Sequence, residues 1–261
     1  MIDNRLEYQR MYEVEQKLWW YKTLHGKVLK NIQKHFPKDT AKTRILDAAC
    51  GTGGLLSFLR ERGFTHLTGF DYSRHAVDFS LERDLDVNFG DLRQVGEFRP
   101  GEKFDVISCN DALYFLTDEE IISALREFRM RLHEGGLIVI NIHAFEAFSG
   151  THDLAVGSSR RFELEQFRRY AQSAGLSVQF TTYWPFVLSL PILAVRKWQQ
   201  FQIRKNKITT AEADSDVSYP GNLINGILQR LMALEEAVIP SAPFGSSLFL
   251  ILQPSFETRL P

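Results

Sequence analysis

The sequence has very little cysteine: Cys50 and Cys109 are the only two among 261 residues. Both stand at the ends of predicted buried strands, and their separation matches no metal-binding spacing. We therefore interpret them as reduced thiols of a cytoplasmic protein and expect no metal site.

Long hydrophobic runs are also missing. The longest, near residues 186–195, is interrupted by Pro191 and is shorter than the roughly 20 residues that span a bilayer. Residues 1–10 are polar and charged, so we expect neither a signal peptide nor an integral membrane segment. An interfacial role of this run remains an alternative because basic and aromatic residues follow it. These residues are Arg196, Lys197, Trp198, Arg204 and Lys205.

Neither sign of charge is in excess, since 31 Lys and Arg against 32 Asp and Glu give a formal net charge of −1. Nucleic-acid-binding proteins typically carry an excess of basic charge, so we expect no nucleic acid partner. The chain also lacks an N-P-P-[YF]-type tetrapeptide after the fourth predicted strand, where it reads Asn110-Asp111-Ala112-Leu113. We expect a small-molecule substrate and a monomer or homodimer.

Strand and helix patterns alternate through most of the chain. The predicted strands are 44–49, 66–70, 86–89, 104–110, 137–142, 176–183 and 246–253, and the predicted helices are 6–36, 53–62, 73–83, 118–132, 163–174, 186–205 and 223–239. Nearly all-apolar strands that alternate with helices predict an α/β fold with a doubly wound, Rossmann-like sheet. Ligands of such sheets bind at the carboxyl ends of the strands.

The chain divides into three predicted parts. Residues 1–40 form an N-terminal helical lid, and residues 41–185 plus 245–255 form the Rossmann-like domain. Residues 186–240 form a helical cap, inserted before the last strand, with a mobile loop over 206–221. The lid carries aromatic residues at helical spacing, Tyr12, Trp19, Trp20 and Tyr21. They either pack in the core or cover a ligand. We expect Trp19 or Trp20 to pack on the sheet and Tyr12 or Tyr21 to approach the ligand.

A glycine turn after the first strand, within residues 45–54, is typical of nucleotide-like ligands. Gly51 and Gly53 fit the first two glycines of the NAD fingerprint, but Leu56 occupies the third position. No G-K-[ST] follows, which excludes a P-loop.

Acidic residues follow the next two strands. Asp71 is placed to accept hydrogen bonds from ribose hydroxyls, although it could also cap the helix after Ser73. Asp91 is placed to accept from the exocyclic amine of adenine, with Leu92 donating its backbone N–H. Alone, Gly90-Asp91 would be an ordinary turn.

In this order, the motifs resemble those of class I S-adenosylmethionine-dependent methyltransferases. The matching segments are 47–53, 69–73, 90–92, 104–107 and 132–137, within a resemblance over residues 10–183. The resemblance implies S-adenosylmethionine as cofactor, S-adenosylhomocysteine as product, and a seven-stranded sheet with an antiparallel last strand. The residues expected to bind the cofactor are Asp47, Ala49, Gly51, Gly53, Asp71, Tyr72, Asp91, Leu92, Asn110, Trp20 and Tyr21.

The chain further resembles a bacterial subgroup of small-molecule methyltransferases. It shares their W-W-[YF] segment at residues 19–21 and their H-D motif at residues 152–153. It departs from the subgroup at Ser158 and Phe162, where histidine and tyrosine are usual, and at residues 114–115, where Glu-His is usual. These departures indicate a different substrate.

Four residues on the predicted ligand rim are candidates for catalysis. His143 is either a general base or substrate ligand, or a hydrogen-bonded histidine at a strand end. His152 pairs with Asp153, acts separately, or belongs to a loop cap. Asp111 suits an amine or guanidine substrate, or caps a turn, and Tyr114 steers the nucleophile or fills space.

The leading hypothesis is therefore methyl transfer from S-adenosylmethionine to a nitrogen or oxygen atom of a small molecule, in a bacterial biosynthetic pathway. Other chemistry of the same cofactor, such as carboxyl transfer, is a second hypothesis. A non-catalytic cofactor-binding subunit that supports a partner enzyme is a third.

Overall fold

Seven strands form one sheet in the computed structural model, which describes residues 5–37, 40–158, 160–205 and 217–255. The strands are β1 (Arg44–Ala48), β2 (His66–Asp71), β3 (Val87–Phe89), β4 (Phe104–Asn110), β5 (Leu132–His143), β6 (Leu176–Trp184) and β7 (Ser247–Pro254). Their order is β3-β2-β1-β4-β5-β7-β6. The first five strands pair in parallel, while β7 runs antiparallel to β5 and β6. The predicted fold class, with its antiparallel last strand, is confirmed.

The helices of the described residues flank this sheet. They are α1 (Arg5–Val14), α2 (Trp19–His35), α3 (Gly54–Arg60), α4 (Arg74–Leu81), α5 (Asp118–Met130), α6 (Thr151–Val156), α7 (Leu164–Ser173), α8 (Ser189–Arg204) and α9 (Asn222–Val238). Helices α8 and α9 come between β6 and β7 in the chain. Most of the loop predicted over 206–221 lies outside the described residues, and residues 217–221 form neither helix nor strand.

Two predicted elements are wrong in detail. The single helix over residues 6–36 is broken, because Leu18 has an extended backbone (ψ 132°) and Glu15 turns inward to bond Thr52. Strand β5 starts at Leu132 rather than at residue 137, since its register against β4 shifts and Gly135 adopts a φ of 76°. The short helix α6 had no signal in the sequence.

The core lies on both faces of the sheet, as the alternation of side chains along a strand requires. On one face, Leu46 of β1 and Ile107 of β4 pack with Phe128 of α5. On the other, Ile45 and Val106 pack with residues of α2 and α3. Because the first five strands are parallel, their carboxyl ends meet at one edge of the covered sheet.

No helix among the described residues is both long and apolar enough to cross a bilayer.

Candidate active site

A cavity of about 430 Å³ lies at the carboxyl ends of the parallel strands. Residues at or after the ends of β1, β2, β4 and β5 form its floor. Helices α1 and α2 contribute Tyr8, Trp20 and Tyr21 to its wall, and α8 contributes Ile192 and Arg196. The volume is in the range of small-molecule and cofactor pockets.

Nearly all the predicted site residues meet in this cavity. Those that line it are Trp20, Tyr21, Asp47, Ala49, Gly51, Asp71, Tyr72, Leu92, Asn110, Asp111, Tyr114, His143 and His152. Gly53 and Asp91 are not among the lining residues. Gly53 precedes α3 with a φ of 77°. The Asp91 carboxylate accepts from the Arg93 backbone N–H (2.9 Å) and pairs with the Arg93 guanidinium. Their roles toward the cofactor stay predictions.

The glycine turn is tied to the second strand through Asp71. The Gly51 N–H donates to Asp71 Oδ2 (2.9 Å), and the Ser73 N–H donates to Asp71 Oδ1 (2.8 Å). The Asp71 carboxylate therefore binds the backbone at the start of α4, which is the capping role considered as its alternative. Asp71 also lines the cavity. Burial raises the pKa of Asp71, and these backbone donors oppose that rise.

A second buried carboxylate, Asp47, lies beneath the turn. The Ser108 hydroxyl donates to Asp47 Oδ1 (2.6 Å). Burial raises the pKa of Asp47 to about 7, and the hydrogen bond from Ser108 opposes the rise.

Sequence reasoning missed Glu15, which lies between α1 and α2 and lines the same cavity. Its carboxylate accepts from the Thr52 hydroxyl and pairs with Arg83 at 2.7 Å. A Cβ atom added at Gly54 would overlap it. Burial raises the pKa of Glu15 to about 7, against the attraction of Arg83. No local pattern marks this residue, because its partners come from distant segments.

Three of the catalytic candidates form one cluster at the end of β5. The His143 ring stacks on the Tyr114 ring, with centroids 4.7 Å apart and an interplanar angle of 19°. The His143 and His152 ring centroids are 5.4 Å apart. Burial, helped by His152 and Arg161, holds the pKa of His143 well below its usual range. Burial therefore favours the neutral form of the His143 imidazole.

Asp111, the fourth candidate, faces this cluster. Its Oδ1 lies 3.7 Å from His143 Nε2, and its Oδ2 accepts from the Asn141 amide at 2.8 Å. Burial raises the pKa of Asp111 to about 7, opposed by Asn141. Asp111 Oδ1 and Asn110 Oδ1 are both buried and have no hydrogen-bond donor within the described part of the chain.

The Asp153 carboxylate caps α6 and pairs with Arg161. It accepts from the Gly150 N–H at the start of α6 (2.8 Å) and from two nitrogens of Arg161 (2.8 and 3.0 Å). Of the alternatives considered, the structure shows the cap. Asp153 Oδ1 is also 3.7 Å from His143 Nδ1.

The aromatic segment of α2 both packs on the sheet and lines the cavity. Trp20 stacks on Trp184 of β6, with centroids 5.3 Å apart, and Trp20 and Tyr21 both line the cavity. Tyr12 packs instead on Phe79 of α4. The expectation that Trp20 packs on the sheet agrees with this arrangement, and the expectation that Tyr21 approaches the ligand stays a prediction.

The residues present fit S-adenosylmethionine. Buried carboxylates and the unpartnered Oδ1 atoms of Asn110 and Asp111 offer acceptors to a ligand rich in N–H and O–H groups. Gly90, which lines the cavity, packs closely on Phe70, since a Cβ atom added at Gly90 would collide with that ring.

Comparisons with known proteins identify the family of this chain. The family model described as "Methyltransferase domain" matches residues 20–180. The chain is 28% identical over 142 residues to phosphoethanolamine N-methyltransferase 1 of Zea mays, covering 51% of this chain and 28% of that protein. It is 32% identical over 167 residues to an uncharacterized methyltransferase of Geobacillus thermodenitrificans, covering 57% of this chain and 76% of that protein.

A solved S-adenosylmethionine-dependent methyltransferase from Clostridium acetobutylicum shares the fold, with a TM-score of 0.56 at 12% identity over 90% of this chain and 92% of that chain. The chain thus spans less than a third of the maize relative but most of this single-domain fold. With the family model covering most of its sheet, and a glycine turn and acidic strand ends facing one cavity, the chain belongs to the methyltransferase domain family.

Proposed function

We propose that this chain transfers a methyl group from S-adenosylmethionine to a nitrogen or oxygen atom of a small molecule, as a bacterial biosynthetic enzyme. The observation that carries the proposal is that a single cavity holds most of the residues expected to bind the cofactor together with the cluster of Asp111, Tyr114 and His143. Donor and acceptor can therefore meet away from water, which is the main requirement of a displacement at a methyl carbon.

The cofactor side of the cavity is formed by the first three strands. Asp71 would accept hydrogen bonds from the ribose hydroxyls, and Asp91 and Leu92 would bind the adenine. The backbone of the turn at Gly51 would bind the remaining part of the cofactor. When bound, the cofactor supplies a methyl group already activated by a sulfonium.

The acceptor side is formed by the ends of β4 and β5. Asp111 Oδ1, which has no donor among the described residues, would accept a hydrogen bond from the acceptor's N–H or O–H and orient its lone pair. His143, whose Nε2 lies 3.7 Å from Asp111 Oδ1, would take the proton that the acceptor loses. Tyr114 packs on the His143 ring and fixes its position.

An amine is the acceptor that these residues favour. A carboxylate attracts an amine, and the aromatic wall of Tyr21 and Tyr114 would stabilise the cationic product. The similarity to a phosphoethanolamine N-methyltransferase supports the same choice.

The test uses S-adenosylmethionine with a deuterated methyl group and two kinds of amine, phosphoethanolamine and amino sugars. Mass spectrometry should find a deuteromethylated amine. His143→Ala should lower the rate by about 10²–10⁴-fold, as for the loss of a general base, while the affinity for S-adenosylhomocysteine stays unchanged. His66→Ala, at an exposed position of β2, is the matched control.

Two results would contradict the proposal. Cofactor binding without turnover on any small molecule would favour the non-catalytic subunit. A His143→Ala enzyme with the wild-type rate would remove this residue from the mechanism.

A further inference from the structure

Helix α8 has two contrasting faces. Ile192 and Arg196 line the cavity, and Arg196 is buried. On the opposite side, Leu190 is 77% exposed, Trp198 60%, and Val195 and Phe201 52% each. Four large apolar side chains on one solvent-facing helix surface indicate a binding surface.

These residues occupy a continuous strip. At 3.6 residues per turn, Leu190, Phe201, Trp198 and Val195 lie within an arc of about 140° around the helix axis. The exposed Lys197 and Arg204 border the same side of this arc, and Lys205 lies at its C-terminal end. We call these four apolar and three basic residues the α8 outer face.

The charge of this face points to the kind of partner. No acidic residue occurs between Pro185 and Lys205. A second copy bound across a two-fold axis would bring the same three cations of each chain together, without an acid from either helix to balance them. An anionic surface complements the face instead.

We propose that the α8 outer face docks on an anionic lipid surface. An amphipathic helix with tryptophan and phenylalanine on its apolar side and lysine and arginine at its border is the typical form of an interfacial membrane contact. The apolar side chains would enter the headgroup region, and the cations would contact the lipid phosphates. Because the same helix lines the cavity, docking would bring the cavity close to the lipid–water boundary. This inference does not depend on the proposed methyl transfer.

The test is co-sedimentation of the full chain with sucrose-loaded vesicles at low salt, using phosphatidylcholine alone and phosphatidylcholine with phosphatidylglycerol. The protein should bind the anionic vesicles far better than the neutral ones. Replacing Lys197, Arg204 and Lys205 together with glutamine should weaken that binding on the order of 100-fold, at roughly fivefold per cation. Replacing Trp198 and Phe201 with serine should weaken binding to vesicles of both kinds.

Matched controls distinguish an effect of the α8 outer face from a general effect of net charge or of exposed apolar surface. Lys30, Lys34 and Lys42 are exposed elsewhere, so their replacement with glutamine changes the net charge equally. Leu223 and Leu234 are 78% and 61% exposed on α9, so their replacement with serine removes comparable apolar surface. Both control variants should bind vesicles like the wild type.

Three results would overturn the inference. They are no preference of the wild type for anionic vesicles, equal loss of binding in the control variants, and wild-type self-association that the Trp198 and Phe201 substitutions abolish without any vesicle binding. Isothermal titration with S-adenosylhomocysteine, repeated on each variant, shows whether the protein is still folded and reports on the proposed function separately.

Discussion

Replacing Asp111 with asparagine should stabilise the cofactor-free protein at alkaline pH. Asp111 has a φ of 50°, a conformation that asparagine tolerates better than most residues. Asparagine also keeps the shape of the side chain and an oxygen that accepts from the Asn141 amide. The substitution therefore removes a buried charge and little else.

The size of the effect follows from the pKa of Asp111, which burial raises from 3.8 to about 7. The folded protein then holds a proton that the unfolded chain releases, so the free energy of unfolding falls as pH rises from about 4 to about 7. Relative to a neutral side chain, aspartate costs about 2 kcal/mol at pH 5 and about 4 kcal/mol at pH 8. The advantage of Asp111→Asn should therefore grow by about 2–3 kcal/mol between these pH values.

Urea unfolding at pH 5 and pH 8 measures this directly. In thermal unfolding, the Tm advantage of the variant should be about 5–10 °C larger at pH 8 than at pH 5. Asp78→Asn, at an exposed position of α4, is the control and should change neither curve. An advantage of the same size at both pH values, or a variant less stable than wild type at pH 8, would refute the reasoning.

Three further substitutions test the packing around the site by urea unfolding. Gly54→Ala should destabilise by about 1–3 kcal/mol because its Cβ atom would overlap the Glu15 carboxylate; no loss would show that Glu15 can move away. Gly26→Ala, in α2 with nothing within 4 Å of the added Cβ atom, should instead stabilise by about 0.5–1 kcal/mol, and a loss would reveal a hidden contact. Arg161→Met should cost about 3–5 kcal/mol because it leaves the Asp153 carboxylate buried without its cation, whereas a loss under 1 kcal/mol would show that the pair contributes little.

The features that the sequence predicted are local along the chain. A strand, a glycine turn and an acid at the next strand end occur in a fixed order, so Gly51 and Asp71 could be placed together before any coordinates were known. Asp71 Oδ2 in fact accepts from the Gly51 N–H. The sheet rule that gathers strand ends at one edge also placed Asn110 and His143 correctly on the cavity.

The features that the sequence did not predict depend on contacts between distant segments. Glu15 looked like one more residue of a continuous helix, and only the folded chain brings it to Thr52. Likewise, Asp153 accepts from two nitrogens of Arg161, a partner that the sequence did not single out. Patterns of spacing carry no information on such pairs.

Isothermal titration of the purified chain with S-adenosylhomocysteine tests the central claim most directly. The wild type should bind one equivalent, and Asp71→Ala should bind about 30–150-fold more weakly, the equivalent of about 2–3 kcal/mol for hydrogen bonds to a charged acceptor. Asp78→Asn, an exposed acid seven positions along the chain, should bind like the wild type. Equal affinity of Asp71→Ala and wild type, or no binding by the wild type, would contradict the assignment of this cavity to the cofactor.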